Sequence, residues 1–423
     1  MLGRPLAIVL LLTVTLVIPA TGLAQVEAGP SGIHLAYGSD GAEAMTISWV
    51  GPPGAMAYAE VWPEGQAGEA QRVTARETQG PVGASSSYHA HVEDLSPSST
   101  YDYRVVVGEE RSEMATFTTA PAPGTPGTIT ITHFADHGTN HPANTRSDGE
   151  APAENVALAA SLSPDVHLVS GDTSYAEGDP VQWDLYLEMI EPLARTVPYM
   201  TVPGNHEREG TPATTGDVLG FANYDARFAM PEPSEEERWW QTQLGRTVII
   251  GLNSETACAG DPGTSLAPGP GVSCQTSNQL EAQEDQLAFL EGVLSAASQD
   301  PGVDWIVVFL HHTLWSSAQH GSIALLQEHY GSVFDAYGVD VVLQGHDHVY
   351  ERTHPIRGQT AQASGTVYLT NGQGGSGHYS WVEDPPWSAA RDNEHYGTLV
   401  LELGEASIQG RYVGLDGSVH DRF

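Results

Sequence analysis

Five short segments of this 423-residue chain carry side chains that ligate metals. They are Ala135-Asp136-His137-Gly138, Gly171-Asp172-Thr173-Ser174-Tyr175, Gly204-Asn205-His206-Glu207, His311-His312 and Gly345-His346-Asp347-His348. Carboxylate, amide oxygen and imidazole together suit hard and borderline cations such as Zn, Fe and Mn. One such segment carries little weight. An Asp after a strand is commonly a helix cap, and His311-His312 reads equally as one core and one surface histidine. Five in series, each after an apolar run, point to one site for two metal ions. Glycines before Asp172, Asn205 and His346 permit tight turns and a close backbone approach. His346 and His348 are one residue apart, so their rings can reach neighbouring ions.

The elements that must position these groups follow from pattern. Thr128 to Phe134, Asp165 to Ser170, Tyr199 to Val202, Thr247 to Asn253, Trp305 to Leu310 and Val339 to Leu343 are short apolar runs, read as buried strands. Ala153 to Leu162, Gln279 to Ala297 and Ile323 to Tyr337 have helical periodicity, and Thr366 to Thr370 and Thr398 to Glu402 return to strands. This is a mixed α/β domain with an antiparallel portion. In such sheets the carboxyl ends of the strands form the ligand crevice. Ahead of it, Ala44 to Val50, Ala57 to Trp62, Ser87 to Leu95, Thr100 to Val107 and Met114 to Thr119 predict a small all-β region with Trp49 in its core. Leu95 to Tyr103 resembles the tyrosine corner of a fibronectin type III sandwich. The run Ala120-Pro121-Ala122-Pro123-Gly124-Thr125-Pro126-Gly127 reads as a linker.

Composition narrows the classes. All 16 basic residues are arginine, against 53 acidic ones, for a formal charge of -37. A basic footprint for nucleic acid is excluded. The acidic excess fits either a saline habitat, where screening relieves self-repulsion, or a GC-rich genome with an acid-tolerant surface. Arg4, the stretch Leu6 to Ile18, Pro19 and Gly22-Leu23-Ala24 read as an export signal cleaved near Ala24. The stretch is too short to span a bilayer comfortably, so the expected product is secreted, extracellular or periplasmic, with no stable membrane anchor. Cys258 and Cys274, an even count in an exported chain, suggest one disulfide.

The five motifs resemble those of the calcineurin-like metallophosphoesterases, and among them the purple acid phosphatases. Most of the wider superfamily has Asp-x-His in the first motif; here Gly138 takes the third position and the second motif supplies Tyr175. Tyr350-Glu351-Arg352 after His348 also fits, whereas Ala135 and Thr313 stand where Gly and Pro are common. The resemblance implies an α/β (α+β type) core of two packed mixed sheets flanked by helices, behind a fibronectin type III-like sandwich. The expected layout is a signal peptide at 1–24, the sandwich at 30–120, the linker at 121–127 and the metallophosphoesterase domain at 128–423. It also implies that Asp136, Tyr175 and His348 bind ferric iron. Asn205, His311 and His346 would bind divalent Zn, Fe or Mn, and Asp172 would bridge the two ions. His206 and His320 would act as general acid or phosphate clamp. Strand register could put His312 in place of His311, which is preferred; His137 would support a ligand or face solvent, the latter being preferred. Trp239 and Trp240 would line a cleft or pack in the core. The implied activity is hydrolysis of phosphate monoesters with small phosphate esters as partners. Alternatives are a phosphodiesterase or nucleotidase on the same metals, and a non-catalytic secreted binding protein.

Overall fold

The structure is a computed structural model and describes residues 29–423 apart from 82, 84, 143, 145, 211–217, 232–237 and 256–276. The expected signal segment and both cysteines lie outside the described residues.

The N-terminal part is a two-sheet β-sandwich. One sheet runs in the order Ser31–Tyr37, Met45–Gly51, Ser86–Val92, Arg76–Thr78. The other centres on Ala57–Pro63 and Thr100–Val107. Trp49 is fully buried and stacks on Tyr88 with ring centroids 6.0 Å apart. The Tyr101 hydroxyl accepts the Ser96 N–H at 2.8 Å and pins the corner before its strand.

The larger part has two mixed sheets. The first, of six strands, is ordered Tyr199–Val202, Val166–Ser170, Ile129–Phe134, Gly397–Leu403, Ile408–Gly414, Val419–Arg422; its first three strands are parallel. The second, of seven strands, is ordered Trp240–Leu244, Thr247–Gly251, Trp305–Phe309, Val341–Gln344, Val367–Asn371, Tyr350–Thr353, Ser388–Asp392, with a parallel centre. Side chains alternate across a strand. Val307, Phe309, Leu343 and Leu369 therefore face the first sheet, where Ile131, Leu168 and Leu399 join the same core. Ile306, Val308 and Val342 face outward and are covered by Leu290, Leu294 and Phe334 from helices Ser277–Ala297 and Ser332–Tyr337. Burial on both faces explains the uninterrupted apolar runs.

The sandwich is not a loosely tethered module. One apolar core runs through it into the first sheet. Helix Pro180–Ala194, for which the sequence reading makes no provision, forms the joint. It is capped by Asp179, whose side chain accepts the Val181 N–H at 2.9 Å. Gly32, at φ +61, lies so close that a Cβ there would stand 2.7 Å from Leu187 Cβ. Tyr103 Oη donates to Arg195 O at 2.7 Å. The linker is pinned as well: Gly124 N–H donates to Gly245 O at 2.8 Å, and Gly245 N–H to Pro121 O at 3.0 Å. Trp239 and Trp240 are both buried; Trp240 packs on Phe309, and its indole N–H donates to Thr201 O.

Candidate metal centre

The five segments leave the carboxyl ends of strands Ile129–Phe134, Val166–Ser170, Tyr199–Val202, Trp305–Phe309 and Val341–Gln344 and meet in the cleft between the sheets. Pairing continues past the strands: Asp136 N–H donates to Gly171 O, and His137 N–H to Asp172 O. The chain then turns abruptly. Asp136, Asp172, Tyr175 and His346 all have positive φ, between 49° and 68°. Side-chain-bearing residues in this region are uncommon and cluster where function holds them.

The ligand atoms form two overlapping groups. In the first, Tyr175 Oη lies 3.2 Å from Asp136 Oδ1 and 3.1 Å from His348 Nε2. In the second, His311 Nε2 lies 3.0 Å from Asn205 Oδ1, 3.2 Å from His346 Nδ1 and 3.4 Å from Asp172 Oδ1. Asp136, Asp172 and His311 offer ligand atoms within 4.8 Å of one another, so Asp172 and Asp136 join the groups.

The donor set fits cations. His311 Nδ1–H donates to Ser170 O at 2.7 Å, and His348 Nδ1–H donates to Gly377 O at 2.7 Å. Each bond fixes the tautomer and leaves Nε2 with a lone pair. For His311 that lone pair faces the Asp172 and Asn205 oxygens; for His348 it faces Asp136 and the Tyr175 hydroxyl, which can itself supply a proton. Buried acceptors facing acceptors need a positive charge between them. Without one, the protein must borrow a proton. Burial opposes charge on His311, but Asp172 and then Asp136 outweigh it and push its pKa up to about 10. Burial, then the Asp136 and Asp172 charges, hold the Tyr175 phenol far above its usual range; a cation at Oη reverses that balance.

The surrounding histidines sort cleanly. His206 packs its ring on Tyr175 at 4.6 Å, and its Nδ1 lies 2.6 Å from Glu177 Oε1. Burial opposes protonation of His206, yet Asp172 and Glu177 raise its pKa. His320 stacks on the His346 ring at 4.3 Å. His312 lies behind the centre, 3.2 Å from Glu255 and 3.0 Å from Ser254 Oγ, which leaves His311 facing the ligand set. His137 does not face solvent. It is fully buried, packs on Phe134 at 4.4 Å, and its Nε2 bonds Pro152 O at 2.9 Å. The αL turn at Asp136 sends the next side chain inward rather than out.

Four contributors escape the sequence reading. Glu207 is fully buried and accepts four bonds, from Asp172 N, Gly204 N, Thr173 N and Thr173 Oγ1, at 2.7–2.8 Å. It locks the second and third motifs together. Burial and the Asp172 charge push its pKa up to about 7 against those donors. Asp347 accepts the His320 N–H at 2.8 Å and the Ser316 hydroxyl, and so fixes the His320 loop. Tyr379 stacks on His348 at 4.0 Å and borders His320. Glu177 orients His206. Glu207 and Asp347 sit inside quoted motifs, so their positions were legible; Tyr379 and Glu177 carried no signal.

The calcineurin-like phosphoesterase profile matches residues 129–350, more than half of the chain, and the chain belongs to that family. Two further profiles narrow the class: the purple acid phosphatase N-terminal domain at 30–119, and the iron/zinc purple acid phosphatase-like C-terminal region at 365–422. It is a purple acid phosphatase-like member. An uncharacterised protein of Mycobacterium tuberculosis is 26% identical, over 91% of this chain and 84% of its own. An Arabidopsis thaliana protein whose name marks it as an inactive purple acid phosphatase is 27% identical, over 79% of this chain and 56% of its own. A purple acid phosphatase from yellow lupin seeds shares the fold with a TM-score of 0.76 at 24% identity, covering 94% of this chain and 74% of that one. The family implies a dinuclear metal site and phosphoesterase chemistry.

Proposed function

We propose that this chain hydrolyses phosphate monoesters with two metal ions held in the cleft. Asp136, Tyr175 and His348 would hold one ion and Asn205, His311 and His346 the other, with Asp172 shared between them. The Tyr175 phenol and the family likeness support ferric iron at the first position and divalent Zn, Fe or Mn at the second. When bound, such a pair lowers the pKa of water and neutralises phosphoryl charge. His206 donates Nδ1–H to Glu177 and keeps its second proton at acidic pH, because its pKa is raised. It serves the leaving alkoxide. His320, stacked on His346, borders the phosphate position. Substrate access is through a field of formal charge -37, so anionic esters are captured more slowly at low salt.

The observation that carries this reading is the fixed lone pair on His311, aimed at the Asp172 carboxylate oxygen. Residues 30–120 would be the fibronectin type III-like domain and 128–423 the catalytic one, exported after cleavage near Ala24. Among the described residues no helix is long and apolar enough to cross a membrane. Asp172→Asn should remove both metal binding and turnover of p-nitrophenyl phosphate; retained turnover overturns the proposal. Faster hydrolysis of bis-p-nitrophenyl phosphate than of the monoester would keep the site and replace the substrate class.

A further inference from the structure

A second group of metal-ligating side chains lies where the two sheets' outer edges meet. Asp392 ends the edge strand of the seven-stranded sheet, His395 follows in the next loop, and His420 sits on the C-terminal edge strand of the six-stranded sheet. The Asp392 Oδ1 atom accepts the backbone N–H groups of Glu394 (2.8 Å) and His395 (3.0 Å). Its Oδ2 is left to the imidazoles: 2.9 Å to His395 Nδ1 and 3.4 Å to His420 Nδ1. The two rings stack with centroids 4.0 Å apart. These donor atoms lie within 4.8 Å of one another.

The tautomer of His420 is set from behind. Ser418 Oγ–H donates to Asp416 Oδ1 at 2.6 Å, so Ser418 Oγ is the acceptor toward His420 Nε2 at 2.7 Å. Nε2 therefore carries the proton, and Nδ1 presents a lone pair. That lone pair points at a carboxylate oxygen, an arrangement completed by a shared cation or by a proton taken up on His420. The surplus of 53 acidic over 16 basic residues concentrates cations near such a site.

We propose that Asp392, His395 and His420 bind one divalent ion of the zinc type, in a site separate from the cleft. Two imidazoles and one carboxylate suit Zn, Co or Ni, and water completes the shell. The ion is structural. It ties the C-terminal strand Val419–Arg422 to strand Ser388–Asp392, beside the Arg352–Asp421 and Tyr350–Asp421 contacts that join the C-terminal strand to the neighbouring strand Tyr350–Thr353. An edge strand held this way is closed to pairing with other chains.

The test is equilibrium dialysis of the full chain against zinc, with melting curves. Wild type should bind about one more zinc per chain than His420→Ala or Asp392→Asn, the stoichiometry of one three-ligand site. Zinc at a hundredfold excess over the dissociation constant should raise the wild-type melting temperature by roughly 3 °C more than that of the variants. Asp392→Asn retains the oxygen that accepts the two backbone N–H groups, so it folds even if His420→Ala does not. Turnover in the cleft should be equal in all three proteins, which separates this site from the catalytic reading. Equal zinc stoichiometry in wild type and Asp392→Asn overturns the proposal and leaves a plain hydrogen-bonded cluster.

Discussion

Replacing Glu207 by Gln tests whether the cleft is held in shape by a residue that touches no substrate. Glu207 receives four donors with two oxygens: Asp172 N and Gly204 N at Oε2, Thr173 N and Thr173 Oγ1 at Oε1. Gln keeps one oxygen and puts an NH2 where the other was. With the NH2 at the Oε2 position two backbone donors are stranded; at the Oε1 position the Thr173 hydroxyl turns to accept and only Thr173 N is stranded. A stranded donor costs about 1–3 kcal/mol, so the change costs about that much in the cheaper orientation, before relaxation. The strain falls on Asp172 and on the turn ahead of Asn205, so metal affinity and turnover should fall about 10–100-fold, as for other residues that orient ligands. Metal analysis after dialysis, p-nitrophenyl phosphate kinetics and a melting curve read the three effects. A Gln variant with wild-type metal content and turnover refutes the claim that Glu207 positions the bridging carboxylate.

Further outcomes follow from the same geometry. Gly345→Ala puts a Cβ 2.4 Å from Ala135 Cβ and 2.8 Å from Asp136 Oδ2, so it should displace Asp136 and lower metal content in the same dialysis assay; unchanged content contradicts it. Glu177→Gln removes a charge that raises the His206 pKa, so the alkaline limb of the pH–rate profile should move to lower pH; an unmoved limb contradicts the role of His206. Burial pushes His133 down to about 3, and burial followed by the His34 charge does the same to His89. Both rings stay neutral in the folded chain while the unfolded chain takes up protons below about pH 6.5. Stability should therefore fall as pH drops from about 6.5 toward 3, by about 1.4 kcal/mol per pH unit for each ring. Melting curves from pH 7 to 4.5 should fall less steeply for His133→Gln than for wild type. Tyr175→Phe should abolish the visible absorption that phenolate on ferric iron gives; a colourless wild-type enzyme removes the iron assignment and leaves the fold.

Much of this was legible in the residues, for identifiable reasons. Strands buried on both faces, such as Trp305–Phe309, read as continuous apolar runs and were found within one or two residues of their ends. The ligand segments were legible because each must stand at the end of such a strand. Helix Pro180–Ala194 was not, since Pro180 and Pro192 punctuate it and its apolar face, through Trp183, Tyr186, Leu187 and Ile190, is defined by the sandwich it meets. Helix Ile323 to Tyr337 breaks into Ala324–Leu326, a π-turn at Gln327–Gly331 and Ser332–Tyr337, a change of hydrogen bonding that periodicity does not encode. His137 is buried rather than solvent-facing because the positive φ of Asp136 ends strand alternation after Phe134. Tyr379 and Glu177 reach the cleft from loops whose course no pattern predicts.

The most direct test of the central claim is metal stoichiometry measured together with activity on one preparation. Two ions per chain are expected in the cleft, with loss of p-nitrophenyl phosphate turnover when a chelator strips them and recovery when iron and a divalent partner are returned. The edge-cluster ion is counted apart by using Asp392→Asn. Full turnover by the stripped protein, or an unchanged metal content in Asp172→Asn, would contradict it.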